Sequence, residues 1–138
     1  MKEVTGMRFS IRKILLSAAA LLVLCWCGCS QTSGASAPVD IDRAQEVLQI
    51  ALDGWQAKQS VQDVRSASGI IVQDKDWETG MRLLSYEIKG PGKAQHAYLR
   101  CPVELVLEDS KRKESRKTVH YIVSTSPHVM VRRDVLTQ

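Results

Sequence analysis

The strongest constraint on the fold is an alternating segment in the second half of the chain. Every second residue from 97 to 107 is apolar or small, and most residues between them are polar or charged. Because the side chains of a β-strand point alternately to two faces, this period predicts a long antiparallel strand with one buried face. Pro102 lies within it and cannot donate a ladder hydrogen bond, so we expect a bulge or a sheet edge there. The apolar face comprises Ala97, Leu99, Cys101, Val103, Leu105 and Leu107.

An earlier segment has a helical period. Its apolar spacing predicts an amphipathic helix that begins at Asp40 or Asp42, ends near Lys58 and is followed by one more turn at 61–65. An acidic residue suits the N-cap position of such a helix. Gly54 costs the helix about 1 kcal/mol relative to Ala, so we expect a close contact with a sheet at this point. The apolar stripe comprises Ile41, Ala44, Leu48, Ala51, Leu52 and Trp55.

Beyond Gly69 the apolar period becomes two, which is typical of β-structure. Further strands are predicted at 70–72, 84–88, 118–125 and 129–131, with a turn at 74–80. Along the 84–88 strand, the apolar residues Leu84, Tyr86 and Ile88 alternate and share one face. One helix followed by four to five antiparallel strands indicates an α+β domain. In such a domain the apolar stripe of the helix lies across the apolar face of a curved sheet.

The N-terminal region resembles a bacterial lipoprotein signal. Basic residues precede an apolar run at 14–26, which is shorter than the about 20 residues that span a bilayer. Gly28 provides the small residue that the pattern has directly before the cysteine, Cys29. The resemblance implies cleavage before Cys29 and lipidation of its thiol, with several acyl chains that together exceed the two signals needed for stable anchoring. Cleavage after Ala37 and an uncleaved anchor are the alternatives.

These features predict three regions. Residues 1–28 form the signal peptide, 29–39 a flexible linker that starts at the lipidated cysteine, and 40–138 the α+β domain. Both Met1 and Met7 are suitable start residues. The predicted location is the bacterial cell envelope, lipid-anchored to the inner or outer membrane and facing the periplasm or the exterior.

The charge and the cysteine content limit the kinds of protein to which this chain can belong. The full chain has 19 basic and 15 acidic residues, and four basic and one acidic lie in 1–28, so the remainder has a net charge of about +1. The sequence pI of about 9.0 is therefore mainly a property of the leader and does not indicate nucleic-acid binding. Only Cys101 remains in the domain, so no disulfide framework is expected and its thiol is predicted to be buried and inert.

Motifs for catalysis or cofactor binding are missing from the sequence, so neither enzymatic activity nor a cofactor is expected. A metal site is not expected either, because the three histidines are scattered along the chain. The acidic residues Asp74, Asp76 and Glu78 surround Trp77. We interpret them as a solvated turn capped by Asp, the alternatives being a weak calcium loop or a substrate carboxylate pair. Trp77 is predicted to close one end of the core.

A basic run follows the long strand, with acidic residues mixed in. It is predicted to be a solvated hairpin tip. The alternative is contact with anionic lipid or with a polyanionic envelope polymer, worth roughly 1 kcal/mol for each basic residue at an anionic surface. The absence of interleaved aromatic residues argues against nucleic acid. The run comprises Lys111, Arg112, Lys113, Arg116 and Lys117.

Several short segments of the domain carry a family resemblance: Leu52-Asp-Gly-Trp55, Val72-Gln-Asp-Lys-Asp-Trp77, Tyr86-Glu-Ile88, Tyr121-Ile-Val-Ser-Thr-Ser-Pro127 and Val131-Arg132. Together they resemble the cystatin-like and nuclear-transport-factor-like folds, and more narrowly small, mostly uncharacterised bacterial lipoproteins of that build. The resemblance covers about residues 40–135 and implies a fold but no catalytic residue.

Three functions are compatible with this pattern. The preferred one is a non-enzymatic lipoprotein that docks to another envelope protein or supports an assembly. The second is a binder of a small apolar ligand in a pocket between helix and sheet. An enzyme of the ketosteroid-isomerase type, with Asp53 or Glu87 acting beside Tyr86, is the third and weakest. The aromatic residues predicted to form the ligand or partner surface are Trp55, Trp77, Tyr86 and Tyr121.

Overall fold

The structure, a computed structural model, describes residues 38–136. The predicted signal peptide and the lipidation of Cys29 lie outside the described residues. Three helices and six strands occur in the described range. The helices are α1 (Ile41–Gln56), α2 (Val61–Ser68) and α3 (Lys75–Glu78). The strands are β1 (Ile71–Gln73), β2 (Arg82–Ile88), β3 (Lys93–Gln95), β4 (Tyr98–Glu108), β5 (Glu114–Ser124) and β6 (Met130–Arg133).

All six strands belong to one curled sheet, which forms a half-barrel. Its order is β1-β6-β5-β4-β2, and the short strand β3 also pairs with β4. The β1–β6 pair is parallel and the other pairs are antiparallel. The α+β class and the curved, mostly antiparallel sheet are therefore confirmed. The expected single helix and four to five strands are wrong in number, because local caps and short pairings add elements that apolar periodicity does not reveal.

The two added helices are each fixed by a polar residue at the N-terminus. Ser60 and Asp63 form a capping box, in which each side chain accepts a hydrogen bond from the other residue's backbone N–H group. Asp74 caps α3 with its side chain. The segment at 61–65, expected as one more turn after the first helix, is therefore part of a longer separate helix.

Helix α1 begins where the sequence predicts. Asp40 is its N-cap, and its carboxylate accepts the backbone N–H of Arg43 at 3.0 Å. The helix ends at Gln56, two residues earlier than expected. A Cβ atom on Gly54 would lie 2.6 Å from Cγ2 of Val64, so this glycine permits the close approach of α2. The expected contact with the sheet is wrong.

Strand β4 has the predicted buried face except at Ala97, which lies half-buried in the turn before the strand. Its five inward side chains are fully buried under α1. Burial of each leucine among them contributes roughly 1.5–3 kcal/mol to the free energy of unfolding. Burial raises the pKa of the Cys101 thiol. The whole core is drawn from side chains between Val39 and Val131, so the described region is stabilised by a core of its own.

Pro102 lies in neither a bulge nor an edge strand. It pairs in regular register with His120 of β5, and its carbonyl accepts the N–H of Lys89 on the other side. In a β-strand the N and O atoms of one residue point to the same side. The backbone nitrogen of Pro102, which has no hydrogen to donate, therefore faces the gap between β2 and β3. No hydrogen bond to a residue of either strand is lost there.

A β-bulge changes which residues of β2 face the core. The register shifts between Leu83 and Ser85, so Leu84 is left without a partner in β4. Leu83 is buried in its place, while Tyr86 and Ile88 keep the inward face that the sequence predicts. The carbonyl of Leu84 accepts a hydrogen bond from the side chain of Gln56 at 3.0 Å.

Candidate functional site

The most unusual polar group of the domain is Asp74, whose exposed fraction is 1%. Its Oδ1 accepts the backbone N–H groups of Asp76 at 2.9 Å and Trp77 at 3.2 Å, which starts α3. The expectation that Asp caps this turn is correct. The expectation of a solvated turn is wrong for Asp74, because the sheet covers its side chain.

The second oxygen of Asp74 is also occupied. The hydroxyl of Tyr121 donates to Oδ2 at 2.5 Å. Nη2 of Arg133 lies 2.8 Å from the same oxygen, an ion-pair contact that lacks hydrogen-bond geometry. Arg133 reaches this position because it pairs with Tyr121 on the core-facing side of the sheet. Its guanidinium carbon lies 6.0 Å from the centre of the Tyr121 ring, a cation–π contact.

Asp76 extends the cluster towards solvent. Its Oδ2 accepts hydrogen bonds from Nζ of Lys117 and from Nη1 of Arg133. We call these five residues the Asp74–Arg133 network: Asp74, Asp76, Lys117, Tyr121 and Arg133. It contains two carboxylates and two cations, so its charges balance, as a partly buried ionic cluster requires.

The environment shifts three pKa values in this network. Burial raises the pKa of Tyr121 well above its usual value, and the charge of Asp74 adds to this shift. Burial alone would lower the pKa of Arg133, but Tyr121 and Asp74 outweigh it, so the guanidinium stays charged. For Asp76, burial acts to raise the pKa, and the hydrogen bonds from Lys117 and Arg133 lower it below its usual value.

An open cleft lies beside the network. It has a volume of about 560 Å³ and places the charged groups of the network next to exposed side chains. Val135, which is 71% exposed, lies at its rim. We call this the network cleft; its other lining residues are Gln73, Lys75, Glu78 and Arg132.

The aromatic residues predicted to form a binding surface do not come together in one pocket. Trp55 and Trp77 stack with ring centres 5.1 Å apart and planes 2° from parallel. Their indole N–H groups donate to the carbonyls of Met81 at 2.8 Å and Gln59 at 2.9 Å. Both rings are buried, so the pair closes one end of the core, and a cleft of only about 260 Å³ borders it.

Tyr86 makes a different polar contact from the other three aromatic residues. Its hydroxyl donates to Oδ1 of Asp53 at 2.5 Å, in an exposed position between α1 and β2. The pair considered for isomerase chemistry is thus in contact, but it lacks the enclosed apolar pocket that such chemistry requires. Glu87 points to the opposite face and accepts a hydrogen bond from Lys89.

The predicted basic run is divided between different surroundings. Lys111, Arg112 and Lys113 are exposed at the tip of the β4–β5 hairpin. Arg116 contacts Glu104 on β4 at 3.3 Å, whereas Lys117 belongs to the Asp74–Arg133 network. The structure therefore does not present the five residues as one basic surface.

Residues 38–136 contain neither a cluster of metal ligands nor a membrane-spanning helix. In that range, no group of three or more His, Cys, Asp or Glu side chains is close enough to hold a metal ion. The helices within the same range are all too short and too polar to cross a bilayer.

Arg133 is the site residue that sequence reasoning missed. A signal for it exists: in the final strand, Val129, Val131 and Arg133 have the spacing of one strand face. A cation in register with core residues requires a buried counter-charge. The sequence does not show that Asp74, distant along the chain, supplies it.

Comparisons with protein-family models, curated proteins and solved structures found no match to this chain.

Proposed function

We propose that this protein is a non-enzymatic lipoprotein of the bacterial cell envelope, anchored through Cys29, and that its domain docks another envelope protein at the network cleft. The leader pattern supports the anchor. The helix laid across a curved sheet supports a relationship to the cystatin-like and nuclear-transport-factor-like folds. The partner is a protein with charged groups complementary to the rim of the cleft.

One observation carries the docking role: charged side chains are held in fixed positions around an open cleft. Arg133 and Asp76 are each bound by more than one partner of the network. Such preorganised groups lose little conformational freedom when a partner binds. Complementary charges at an interface chiefly provide specificity and fast association.

The same geometry weighs against catalysis at this site. Asp74 has both oxygens engaged, by two backbone N–H groups, Tyr121 and Arg133. A carboxylate in that state cannot take a proton from a substrate without first losing these contacts.

The apolar-ligand alternative receives less support. The interface between α1 and the sheet is filled by core side chains, including Leu48, Leu52, Leu99 and Val103. The cleft at the tryptophan pair is smaller than the 300–1,000 Å³ that is roughly typical of ligand pockets.

Photo-cross-linking in native membranes tests the proposal. A photoreactive residue is placed at Arg132, an exposed position at the rim of the network cleft, and in a matched chain at Lys111 on the hairpin tip. We expect a discrete cross-linked partner from position 132 and none from 111. Adding Glu78→Lys, a charge reversal at the same rim, is expected to abolish the product.

Repeating the experiment with Cys29→Ser separates anchoring from docking. The lipidated chain is expected in the membrane fraction and the Cys29→Ser chain outside it. A partner captured equally from positions 132 and 111, or unaffected by Glu78→Lys, would contradict docking at the network cleft. A Cys29→Ser chain that stays in the membrane would contradict the lipid anchor.

A further inference from the structure

Strand β2 forms one edge of the sheet. The strand order ends at β2, whose residues pair with β4 on one side only. On its other side, an edge strand presents backbone N–H and C=O groups to which a further strand can pair. The partners of these groups therefore show whether the edge is closed or available.

Alternate residues of β2 direct their backbone groups to the open side. The N–H of Lys89, directly after the strand, donates to Pro102 of β4. Because neighbouring residues of a strand point to opposite sides, the backbone groups of Tyr86 and Ile88 face away from β4. Among the described residues, the N–H and C=O of Tyr86 and the N–H of Ile88 have no hydrogen-bond partner. The carbonyl of Ile88 accepts the N–H of Gly90 at 3.2 Å.

Helix α1 covers both ends of this edge but not its middle. Nε2 of Gln56 donates to the carbonyl of Leu84 at 3.0 Å, and Nε2 of Gln45 donates to the carbonyl of Pro91 at 2.8 Å. Gln49 lies between the two glutamines along α1, and its side chain makes no hydrogen bond with any described residue. The unpaired backbone groups lie in the stretch of chain between the two covered carbonyls.

A cleft provides room for a further strand at this place. It has a volume of about 560 Å³ and lies between α1 and the end of β2. We call it the edge cleft; its lining includes Asp42, Glu46 and Gln49 of α1 and Ile88 of β2. A strand added beside β2 would lie about 4.8 Å from it, with alternate side chains directed towards α1.

The edge cleft is acidic. Asp42 and Glu46 line it, and none of its described lining residues is basic. Arg43 contacts Glu46 at 2.7 Å, but both side chains are more than half exposed, so this pair is weak. Lys89 pairs with Glu87 on the opposite face of the sheet. A basic segment is therefore complementary to the cleft, whereas a second copy paired through β2 would bring two acidic flanks together.

We propose that the free edge of β2 binds an extended, basic peptide segment of a partner protein, which joins the sheet as a further antiparallel strand. Hydrogen bonds to the backbone of Tyr86 and Ile88 supply affinity, and basic side chains facing Asp42 and Glu46 supply specificity. The antiparallel direction is chosen because antiparallel pairs are slightly more stable per residue than parallel ones. The proposal depends neither on the lipid anchor nor on the network cleft.

The probe is a labelled synthetic hexapeptide in which lysine and threonine alternate. It is titrated into the chain from residue 29 to 138 with Cys29→Ser, which retains the whole core. Fluorescence anisotropy measures binding, and NMR follows the backbone amide protons of Tyr86 and Ile88. We expect saturable binding with shifts of both amide signals, and no binding of a peptide with glutamate in place of lysine.

Methylation of the peptide backbone tests the strand pairing itself. In an antiparallel pair, the added residues that share the inward face with Tyr86 are those whose N–H groups point to β2. The lysines take these positions when they face the acidic cleft. Methyl groups on the lysine backbone nitrogens are therefore expected to abolish binding, and methyl groups on the threonine nitrogens to leave it unchanged. Any other result from the two methylated peptides would contradict antiparallel addition.

Two variants of the protein, each with a matched control, test the edge and its charge. Ile88→Pro removes an unpaired donor at a position where proline is tolerated, and is expected to bind about fivefold more weakly than Ile88→Ala, which keeps the donor. Gln49→Lys places a positive charge in the edge cleft and is expected to weaken binding about fivefold. Gln62→Lys adds the same charge at an exposed position of α2 and is expected to have no effect.

Four results would overturn the proposal. The first is the absence of shifts at Tyr86 and Ile88, and the second is equal binding of the glutamate peptide. The third is equal weakening by Gln49→Lys and Gln62→Lys, which would reduce the effect to general charge attraction. The fourth is a chain that sediments as a dimer without peptide and as a monomer with Ile88→Pro, since the edge would then belong to a second copy.

Discussion

Two tyrosine–aspartate pairs of the domain have the same bond length and opposite surroundings. Tyr121 donates to Asp74 and Tyr86 donates to Asp53, each at 2.5 Å. The first pair is buried, with Tyr121 and Asp74 each 1% exposed, whereas Asp53 is exposed to solvent. The comparison teaches that the length of a hydrogen bond does not determine how much the bond contributes to the stability of the domain. Its contribution depends on whether water can replace the lost partner.

The buried aspartate also has more contacts than the exposed one. Asp74 binds Tyr121, Arg133 and the first turn of α3, so several groups rely on one carboxylate. At the surface pair, the hydroxyl of Tyr86 is the only group that donates to the side chain of Asp53 among the hydrogen bonds of the described residues. Removing the acid should therefore have very different consequences in the two places.

The largest expected difference is between Asp74→Ala and Asp53→Ala. Asp74→Ala removes the N-cap of α3, the acceptor of the Tyr121 hydroxyl and one of the two carboxylates that pair with Arg133. It is expected to lower the free energy of unfolding by about 3–5 kcal/mol. Asp53→Ala is expected to lower it by at most about 1 kcal/mol, because water replaces the carboxylate. Urea unfolding followed by tryptophan fluorescence measures both. Similar losses in the two variants would show that the buried network stabilises the domain no more than a surface contact does.

A smaller difference is expected when only the hydroxyl groups are removed. Tyr121→Phe keeps the ring and leaves Asp74 paired with Arg133, so we expect a loss of about 1–3 kcal/mol. Tyr86→Phe is expected to cost less than about 1 kcal/mol. The same urea experiment applies, and a double-mutant cycle with the matching Asp→Asn variant isolates each bond. A coupling energy as large for the surface pair as for the buried one would contradict the role of burial.

The smallest effect concerns acid pH. Hydrogen bonds from Lys117 and Arg133 outweigh the opposing effect of burial and hold the pKa of Asp76 below its usual 3.8. A lowered pKa in the folded state means that the stabilisation is complete above pH 3.8 and is lost as the pH falls through the folded-state value. Asp76→Asn is therefore expected to flatten the decrease in stability below about pH 4. Asp53→Asn serves as the matched control, and an equal flattening by both variants would exclude a special role for Asp76.

The parts of the fold that the sequence predicts are those with a local period. The face of β4 containing Leu99 and Val103, and the stripe of α1 containing Leu48 and Leu52, follow from side-chain spacing within one element. Such patterns need no knowledge of what the element packs against. The Asp40 cap of α1 is local in the same sense.

The candidate site depends on contacts that no local pattern records. Asp74 lies in an acidic, hydrophilic segment, and its burial results from Tyr121 and Arg133, far along the chain. The position of Leu83 was missed for a related reason, since a bulge moves the alternation by one residue only when the strand pairs with β4. Both predictions were wrong because each segment was considered without the segments that it contacts in the folded domain.

The parallel pairing of β1 with β6 has a consequence for the order of assembly. Ile71 is in register with Met130 and Gln73 with Arg132, so the first strand of the sheet pairs only with the last. A chain that is synthesised or threaded through a membrane from its N-terminus must deliver β6 before β1 has any strand to join. The sheet is therefore completed only when its last strand is available, and until then Asp74 stays in water, without the contact to Arg133 that helps to bury it.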